Sequence, residues 1–487
     1  MIIGVDIGTS VTKASSVFHD GRVGETASMR SILDQRPGGA VEQDFDNVMD
    51  SVVSVVRRIT AGSIEPVEAV AITGQGDGLW LRDAAGRPVR PAISWMDARA
   101  TGIVEQWNAG GDDSVARRLY RLTGSGVFPG SQAALLAWLD QHEPESLERA
   151  AVAGYCVDAV VHALTGRLTT DASDASLPFL DVRTRQYVTE ALELCGLDRW
   201  AHLLPDPAPS GSVFELDSRG AELLGLPAGT PVTGGPYDLQ ACGFGSGTLN
   251  PGEGTLVVGT TLSCQVLTSD VTIDPAADPA GMWLCTPDPD VFLRVMPSMV
   301  GTASIDWLMG VLGLTAGDLN DLIEQSPPRA NGVGALSFFS PSGERAPFLD
   351  PSARGQLTGL QLRTSRADIV RGLCEGIAYA ARHCFDELDL DGEVAACGGG
   401  LQSGAWAQIF AEVIGRPLYL PDETAVGARG AAMVAWAGLG QPVDHDAWRA
   451  QRRRIQPAPA RVAEYERGYA EYRESLASAR ALWPHNG

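Results

Sequence analysis

Ile2-Ile3-Gly4-Val5-Asp6-Ile7-Gly8-Thr9-Ser10-Val11-Thr12-Lys13-Ala14 stands at the head of the chain, and the reading of the rest works outward from it. A short apolar run reaches a single carboxylate, turns on a glycine followed by hydroxyls, and resumes with a cation. That is the pattern of a β-hairpin with polar groups at its tip. Backbone N–H groups in a Gly/Thr/Ser turn can converge on phosphate oxygens, and Asp6 beside them can hold a divalent cation that bridges those oxygens. Taken alone, the segment fits an ordinary N-terminal hairpin equally well.

At 487 residues the chain exceeds what one hydrophobic core usually supports, so two domains are expected. With 44% hydrophobic and 20% charged residues, a compact soluble protein is expected along nearly the whole length. The formal net charge of −23 argues against nucleic acids and anionic membranes, whose binding depends on cationic contacts to phosphate. The eight cysteines are scattered, without Cys-x-x-Cys spacing or histidine partners, and read as buried thiols of a reducing compartment. No export signal is expected at the N-terminus, so the predicted location is cytoplasmic. Ala425 to Gly440 is the most membrane-like stretch, but it is shorter than the ~20 residues of a span. It contains Arg429 and reads as a buried helix of small residues.

Further along, Gly38 to Asp44 forms a polar turn into a helix whose Val48, Val52, Val55, Val56 and Ile59 make one apolar stripe. Val67 to Thr73 reads as a buried strand that runs into Gly74-Gln75-Gly76-Asp77-Gly78. Three glycines cost backbone entropy that a plain turn does not require, and close approach of a small ligand accounts for them; a capped glycine-rich loop is the alternative. Trp95, Asp97 and Arg99 alternate in what is predicted to be an extended segment, sharing one face. An aromatic plane beside a carboxylate and a guanidinium suits a hydroxylated molecule, and a purely structural Asp–Arg pair fits as well.

Asp112 to Leu204 is mostly helical by pattern and carries little legible chemistry. Pro231 to Gly243 then reads as strand, glycine turn and helix, with Asp238 in the first helical turn at the carboxyl end of the strand. A general base and a simple cap are both consistent with that position. Thr255 to Val266 repeats the opening hairpin around Gly259-Thr260-Thr261, about halfway along the chain, as an internal duplication predicts. The boundary is expected near Thr248 to Gly252. Ala367 to Cys384 is a strong helical pattern, and Glu393 to Cys397 is a strand opening onto Gly398-Gly399-Gly400. Ser403 is placed to cap the helix that follows, and bare glycines ahead of it let a flat or anionic ligand lie against backbone.

The ordered set Asp6 to Ser10, Gly235 to Asp238, Gly259-Thr260-Thr261, Glu344-Arg345-Ala346-Pro347 with Asp350-Pro351 and Ala353-Arg354-Gly355, and Gly398-Gly399-Gly400 resembles the FGGY family of carbohydrate kinases, from residue 2 to about residue 440. The resemblance implies an α/β fold of two actin-like (ribonuclease-H-like) ATPase domains flanking a deep catalytic cleft. On that pattern 1–248 is the sugar-binding domain and 249–487 the nucleotide-binding domain, with a C-terminal helical tail. It implies transfer of the ATP γ-phosphate to a sugar or polyol hydroxyl with Mg²⁺. Asp238 matches the family's catalytic base; Asp6, with Asp238, matches its metal-associated carboxylates. Thr9, Ser10, Lys13, Gly259, Thr260, Thr261, Gly398, Gly399, Gly400 and Ser403 fall on the nucleotide side, and Gln75, Gly76, Asp77, Trp95, Asp97 and Asp238 on the substrate side.

Where typical xylulose kinases of the family carry Met-His-Gly, this chain has Gly76-Asp77-Gly78. With Val41 to Asp44 and Asp97 to Ala100, the loop is most similar to erythritol kinases, then to L-xylulose kinases. A carboxylate at position 77 can accept from two vicinal hydroxyls. The expected substrate is therefore erythritol, with D- or L-xylulose or another pentulose as the alternative and a homodimer as the expected assembly. An actin-like ATPase of chaperone or filament type, and a sugar sensor without catalysis, are the competing readings.

Overall fold

The computed structural model describes residues 1–299, 301–341 and 343–483. Its contacts divide the chain into two compact units. The first comprises Met1–Leu249, Thr268–Leu293 and Ala425–Ala450; the second comprises Asn250–Leu267, Arg294–Thr424 and Gln451–Gly487. The division expected from sequence was contiguous. Two segments of the second half pack instead with the first, because their apolar faces are complementary to it: Trp283, Cys285 and Phe292 join a core with Leu180 and Val182, and Ala431, Ala435 and Trp436 join one with Ile2 and Val17.

In the first unit the opening stretch forms β1 (Ile2–Ile7) and β2 (Val11–Val17), paired antiparallel with Asp6 opposite Lys13. β3 (Val23–Arg30) extends the sheet beyond β2. On the other side β1 pairs parallel with β4 (Ala69–Gly74). Farther out, β5 (Val213–Glu215) pairs antiparallel with β6 (Pro231–Gly234), which runs parallel to β4. The order is β5-β6-β4-β1-β2-β3. β1 and β4 are apolar along nearly their whole length because both faces are covered, as strands at the centre of a parallel sheet require. One face is covered by α1 (Phe45–Gly62), whose stripe Val48, Val52, Val55, Val56 and Ile59 is buried. Asp44 starts that helix, its carboxylate accepting from Asn47 N at 3.1 Å.

The second unit repeats the plan. β7 (Gly254–Val258) and β8 (Leu262–Thr268) form the antiparallel hairpin, and β9 (Phe292–Ser298) lies beyond β8. β10 (Val394–Cys397) and β11 (Leu418–Pro421) continue in parallel, and β12 (Arg452–Ile455) closes the edge antiparallel. Strand order and direction thus match β1–β6 one for one where both are recorded, the arrangement that the two Gly-Thr hairpins predicted. The helix expected over Ala367 to Cys384 runs from Arg366 to Asp386, started by a reciprocal cap between Ser365 and Asp368. The C-terminal tail is the helix Pro459–Arg480, which begins on a proline whose missing N–H is not needed there.

Among the described residues no helix is long and apolar enough to cross a membrane. The stretch after Ala425 forms the buried helix Val426–Gly438, and Arg429 within it donates to the carbonyls of Gly21 and Trp448 at 2.8 and 2.7 Å.

Candidate active site

In the first unit the carboxyl ends of β1, β4 and β6 bring three loops together. The first is the Gly8-Thr9-Ser10 turn, closed by Gly8 N donating to Val11 O at 3.2 Å. Asp6, half-buried at the end of β1, has its pKa raised to about 6 by burial, with Lys13 opposing the rise. Beside it Gly427 leaves room that a Cβ would take away, since a side chain there would run into the Asp6 carboxylate. The second loop is Gly74 to Gly78, all of it buried. Asp77 is held at φ +52°, a left-handed conformation that Asp tolerates better than most residues. The third loop precedes the helix Asp238–Ser246, whose first residue is Asp238. Tyr237, not Asp238, is the N-cap, so the simple capping account of this carboxylate does not hold. Burial pushes Asp238 well above the usual carboxylate range, with Asp6 and Asp77 adding to the rise and the Leu239 N–H opposing it.

A chain of hydrogen bonds ties the first two loops together. Trp95 Nε1 donates to Thr9 Oγ1 at 2.8 Å, Thr9 Oγ1 donates to Gln75 Oε1 at 3.1 Å, and Gln75 Nε2 donates to Gln43 Oε1 at 2.9 Å. Thr9 was expected on the nucleotide side; its hydroxyl is engaged with Trp95 and Gln75, both expected on the substrate side. Gln75 is likewise held at both ends of its amide.

Asp97 requires a correction. Residues 94–97 turn instead of extending, with Asp97 N donating to Ser94 O at 3.0 Å. Its carboxylate is consumed by the protein: it accepts from Val41 N at 2.7 Å and from Arg99 N and Nε at 2.8 and 2.9 Å. Arg99 in turn pairs with Glu42 at 2.9 Å, and Arg90 pairs with the same Glu42. Asp97 therefore braces the loop that carries Trp95. The alternation of Trp95, Asp97 and Arg99 suggested a common face because the turn that breaks it has no glycine or proline to announce it.

In the second unit Gly259-Thr260-Thr261 forms the equivalent turn, with Gly259 N donating to Thr261 O at 3.0 Å. It is backed by the N-terminus of the helix Thr302–Val311, where Thr302 N donates to Gly259 O at 2.8 Å. A Cβ on Gly301 would stand 2.6 Å from Thr260 O, so this close approach needs a glycine. Gly398-Gly399-Gly400 follows β10. Gly398 and Gly399 are exposed, and a Cβ on Gly399 would meet nothing within 4 Å. Ser403 caps the helix Gly404–Ile414, accepting from Trp406 N at 3.2 Å and donating to Asn320 Oδ1 at 3.1 Å.

Several groups escaped the sequence reading. Asp158, Asp171 and Asp174, from the stretch where little chemistry was legible, are buried carboxyls of the first unit. The signal for Asp171 and Asp174 was the run Thr170-Asp171-Ala172-Ser173-Asp174-Ala175-Ser176, two carboxylates interleaved with hydroxyls. Cys156 Sγ lies 3.9 Å from Gln75 Nε2, and burial pushes its thiol far up, so it is not a nucleophile. In the second unit Glu344 accepts from Ser298 Oγ, Met299 N and Arg345 N at 2.9, 2.8 and 2.9 Å. Burial still lifts it to about 7.

Two like-folded halves, each presenting a Gly-Thr turn and a glycine loop at the same end of its sheet, and one of them carrying half-buried carboxylates, define a phosphotransferase with an alcohol group as acceptor. Residues 1–245 match the N-terminal domain, and residues 254–439 the C-terminal domain, of the FGGY family of carbohydrate kinases. The chain belongs to that family, whose members are ATP-dependent. Erythritol kinase of Brucella abortus is 32% identical over 509 residues, covering 99% of this chain and 97% of that one. The L-xylulose/3-keto-L-gulonate kinase of Escherichia coli is 27% identical over 503 residues, covering 98% and 96%. A solved xylulose kinase from Rhodospirillum rubrum superposes with a TM-score of 0.87 at 28% identity, covering 99% of each chain. The chaperone and filament alternatives give way to the kinase.

Proposed function

We propose that this kinase phosphorylates a terminal hydroxyl of a small linear polyol, erythritol before others, in the cytoplasm. One observation carries the choice of substrate class: a buried carboxylate, Asp77, in a left-handed glycine-flanked loop whose charge is felt at Asp238. Such a group accepts from two neighbouring hydroxyls, which an open-chain polyol offers. The 32% identity to an erythritol kinase supports the same choice. A pentulose remains the second reading, favoured by the likeness to xylulose kinases.

In this reading Asp238 orients the substrate hydroxyl and accepts its proton. Burial raises its pKa in the ligand-free chain. The backbone N–H groups of the Gly8-Thr9-Ser10 and Gly259-Thr260-Thr261 turns hold phosphate oxygens, assisted by Lys13. Gly398, Gly399 and Gly400 carry the adenosine. Phosphoryl transfer asks mainly for positioning and charge neutralisation, and these are the roles such residues suit. Asp6, with Asp238 nearby, fits a magnesium ion: hard oxygen donors, one or two carboxylates, and a glycine at 427 that leaves the space free. Bound there, magnesium supplies charge neutralisation of the nucleotide phosphates.

ATP turnover measured with a panel of tetritols, pentitols, ketopentoses, hexoses and glycerol tests the proposal. Erythritol is expected to give the highest kcat/KM. Asp77→His introduces a side chain that tolerates the left-handed backbone, and it is expected to depress kcat/KM for the polyol far more than for ATP. A preference for D-xylulose that the variant leaves unchanged overturns the polyol choice and leaves the kinase.

A further inference from the structure

The first unit buries more carboxyls than the reaction uses. Two are explained by the fold. Asp158 accepts from Tyr155 N, Thr170 Oγ1 and Asp171 N at 3.0, 2.7 and 3.1 Å. Asp171 caps the short helix Ala172–Ala175, accepting from Ser173 N at 2.9 Å, and also takes a hydrogen bond from Ser210 Oγ at 2.8 Å.

Asp174 is different. It is wholly buried, and neither carboxyl oxygen has a hydrogen-bond partner among the described residues. It does not cap the helix, since Asp171 already does. Its Oδ1 lies 2.8 Å from where a Cβ on Gly76 would stand, beside the Tyr237 ring that fills the rest of that space. Gly76 precedes Asp77 and Tyr237 precedes Asp238, so the idle carboxyl abuts the junction of the two loops that carry the substrate-side acids. The strand Met282–Cys285 also packs against the short helix that carries it. Buried polar groups are rarely left without a partner, because losing hydration without compensation is costly.

We propose that Asp174 is a specificity-determining residue of the substrate site, its carboxyl engaging one hydroxyl of the bound polyol beside those met by Asp77 and Asp238. The inference rests on the reading of the first unit as a polyol site. A site that hydrogen-bonds a given hydroxyl rejects the analogue lacking it, because its own group is then unpaired.

The test compares erythritol with butane-1,2,4-triol and butane-1,2,3-triol in wild type, Asp174→Ala and Asp174→Asn, by turnover and by calorimetric binding of each triol. Wild type is expected to disfavour one triol by about tenfold or more, and in Asp174→Ala that one preference collapses to within about threefold while KM for ATP is unchanged. An undiminished preference in folded variants overturns the proposal and leaves Asp174 holding only a buried water. So does a uniform loss toward all three polyols and ATP, or failure of both variants to fold, since each marks a structural carboxyl. Polyol binding without turnover overturns the kinase reading alone, whereas absence of binding by any polyol or ketose overturns both.

Discussion

The loop after β4 and the loop after β10 occupy the same place in two sheets of matching order, yet they are built in opposite ways. Gly74 to Gly78 is buried, carries Asp77 and has the Asp174 carboxyl beside Gly76. Gly398 and Gly399 are exposed, and Gly399 has open space where a side chain would be. The first suits a small ligand recognised hydroxyl by hydroxyl. The second offers bare backbone to a flat or anionic one. A duplicated scaffold thus repeats the position of the loop, and the side chains of each loop set its chemistry.

The largest effect is expected from Asp238→Asn. Loss of a general base lowers turnover by ~10²–10⁴-fold, with nucleotide affinity nearly intact by calorimetry. A variant that keeps more than about a tenth of its turnover would move the base elsewhere.

Next, Gly399→Val puts a branched side chain into open space. The protein should fold normally, keep its polyol affinity and bind ATP about tenfold or more weakly. An unchanged ATP affinity removes the nucleotide from the second loop and breaks the comparison.

The paired changes Thr9→Val and Thr260→Val sharpen it. The Thr9 hydroxyl bridges Trp95 and Gln75, so its removal should raise KM for the polyol about two- to tenfold, the scale of one hydrogen bond. Thr260→Val should act on KM for ATP by a similar factor. Identical effects from the two variants would mean that the Gly-Thr turns do the same work in both units.

The smallest effect is on stability. Burial raises the folded pKa of Asp171 to about 6 and of Glu344 to about 7. Each binds its proton more tightly when folded, so this stabilisation is full below about pH 4 and is lost as pH rises through 6 and 7. The slope is at most about 1.4 kcal/mol per pH unit for each proton. Thermal midpoints from pH 5 to 8 should fall, and Asp171→Asn or Glu344→Gln should flatten the decline in the unit that carries it. A flat wild-type profile would show that both carboxyls are already ionised.

The hairpins around Gly8 and Gly259, the stripe of α1, the helix Arg366–Asp386 and the position of Asp238 at a helix start were legible because each is written in residues adjacent or periodic along the chain. Periodicity and turn chemistry are local, and an apolar run that ends in glycine and hydroxyls admits few conformations. Asp97 was misplaced because a carboxylate that could meet a ligand and one that braces a loop look alike until Val41 N and Arg99 are found beside it.

What the sequence by itself determined is therefore the duplicated α/β plan, the family, and the glycine loops at the strand ends. Only the tertiary structure decided which polar groups in those loops are already spent. Thr9, Gln75, Ser403 and Asp97 have hydrogen-bond partners within the fold, whereas the Asp174 carboxyl has none among the described residues. The physical reason is that a hydrogen bond between residues far apart in sequence depends on how sheets and loops pack, and buried space, unlike hydrophobic period, leaves no local trace in the chain.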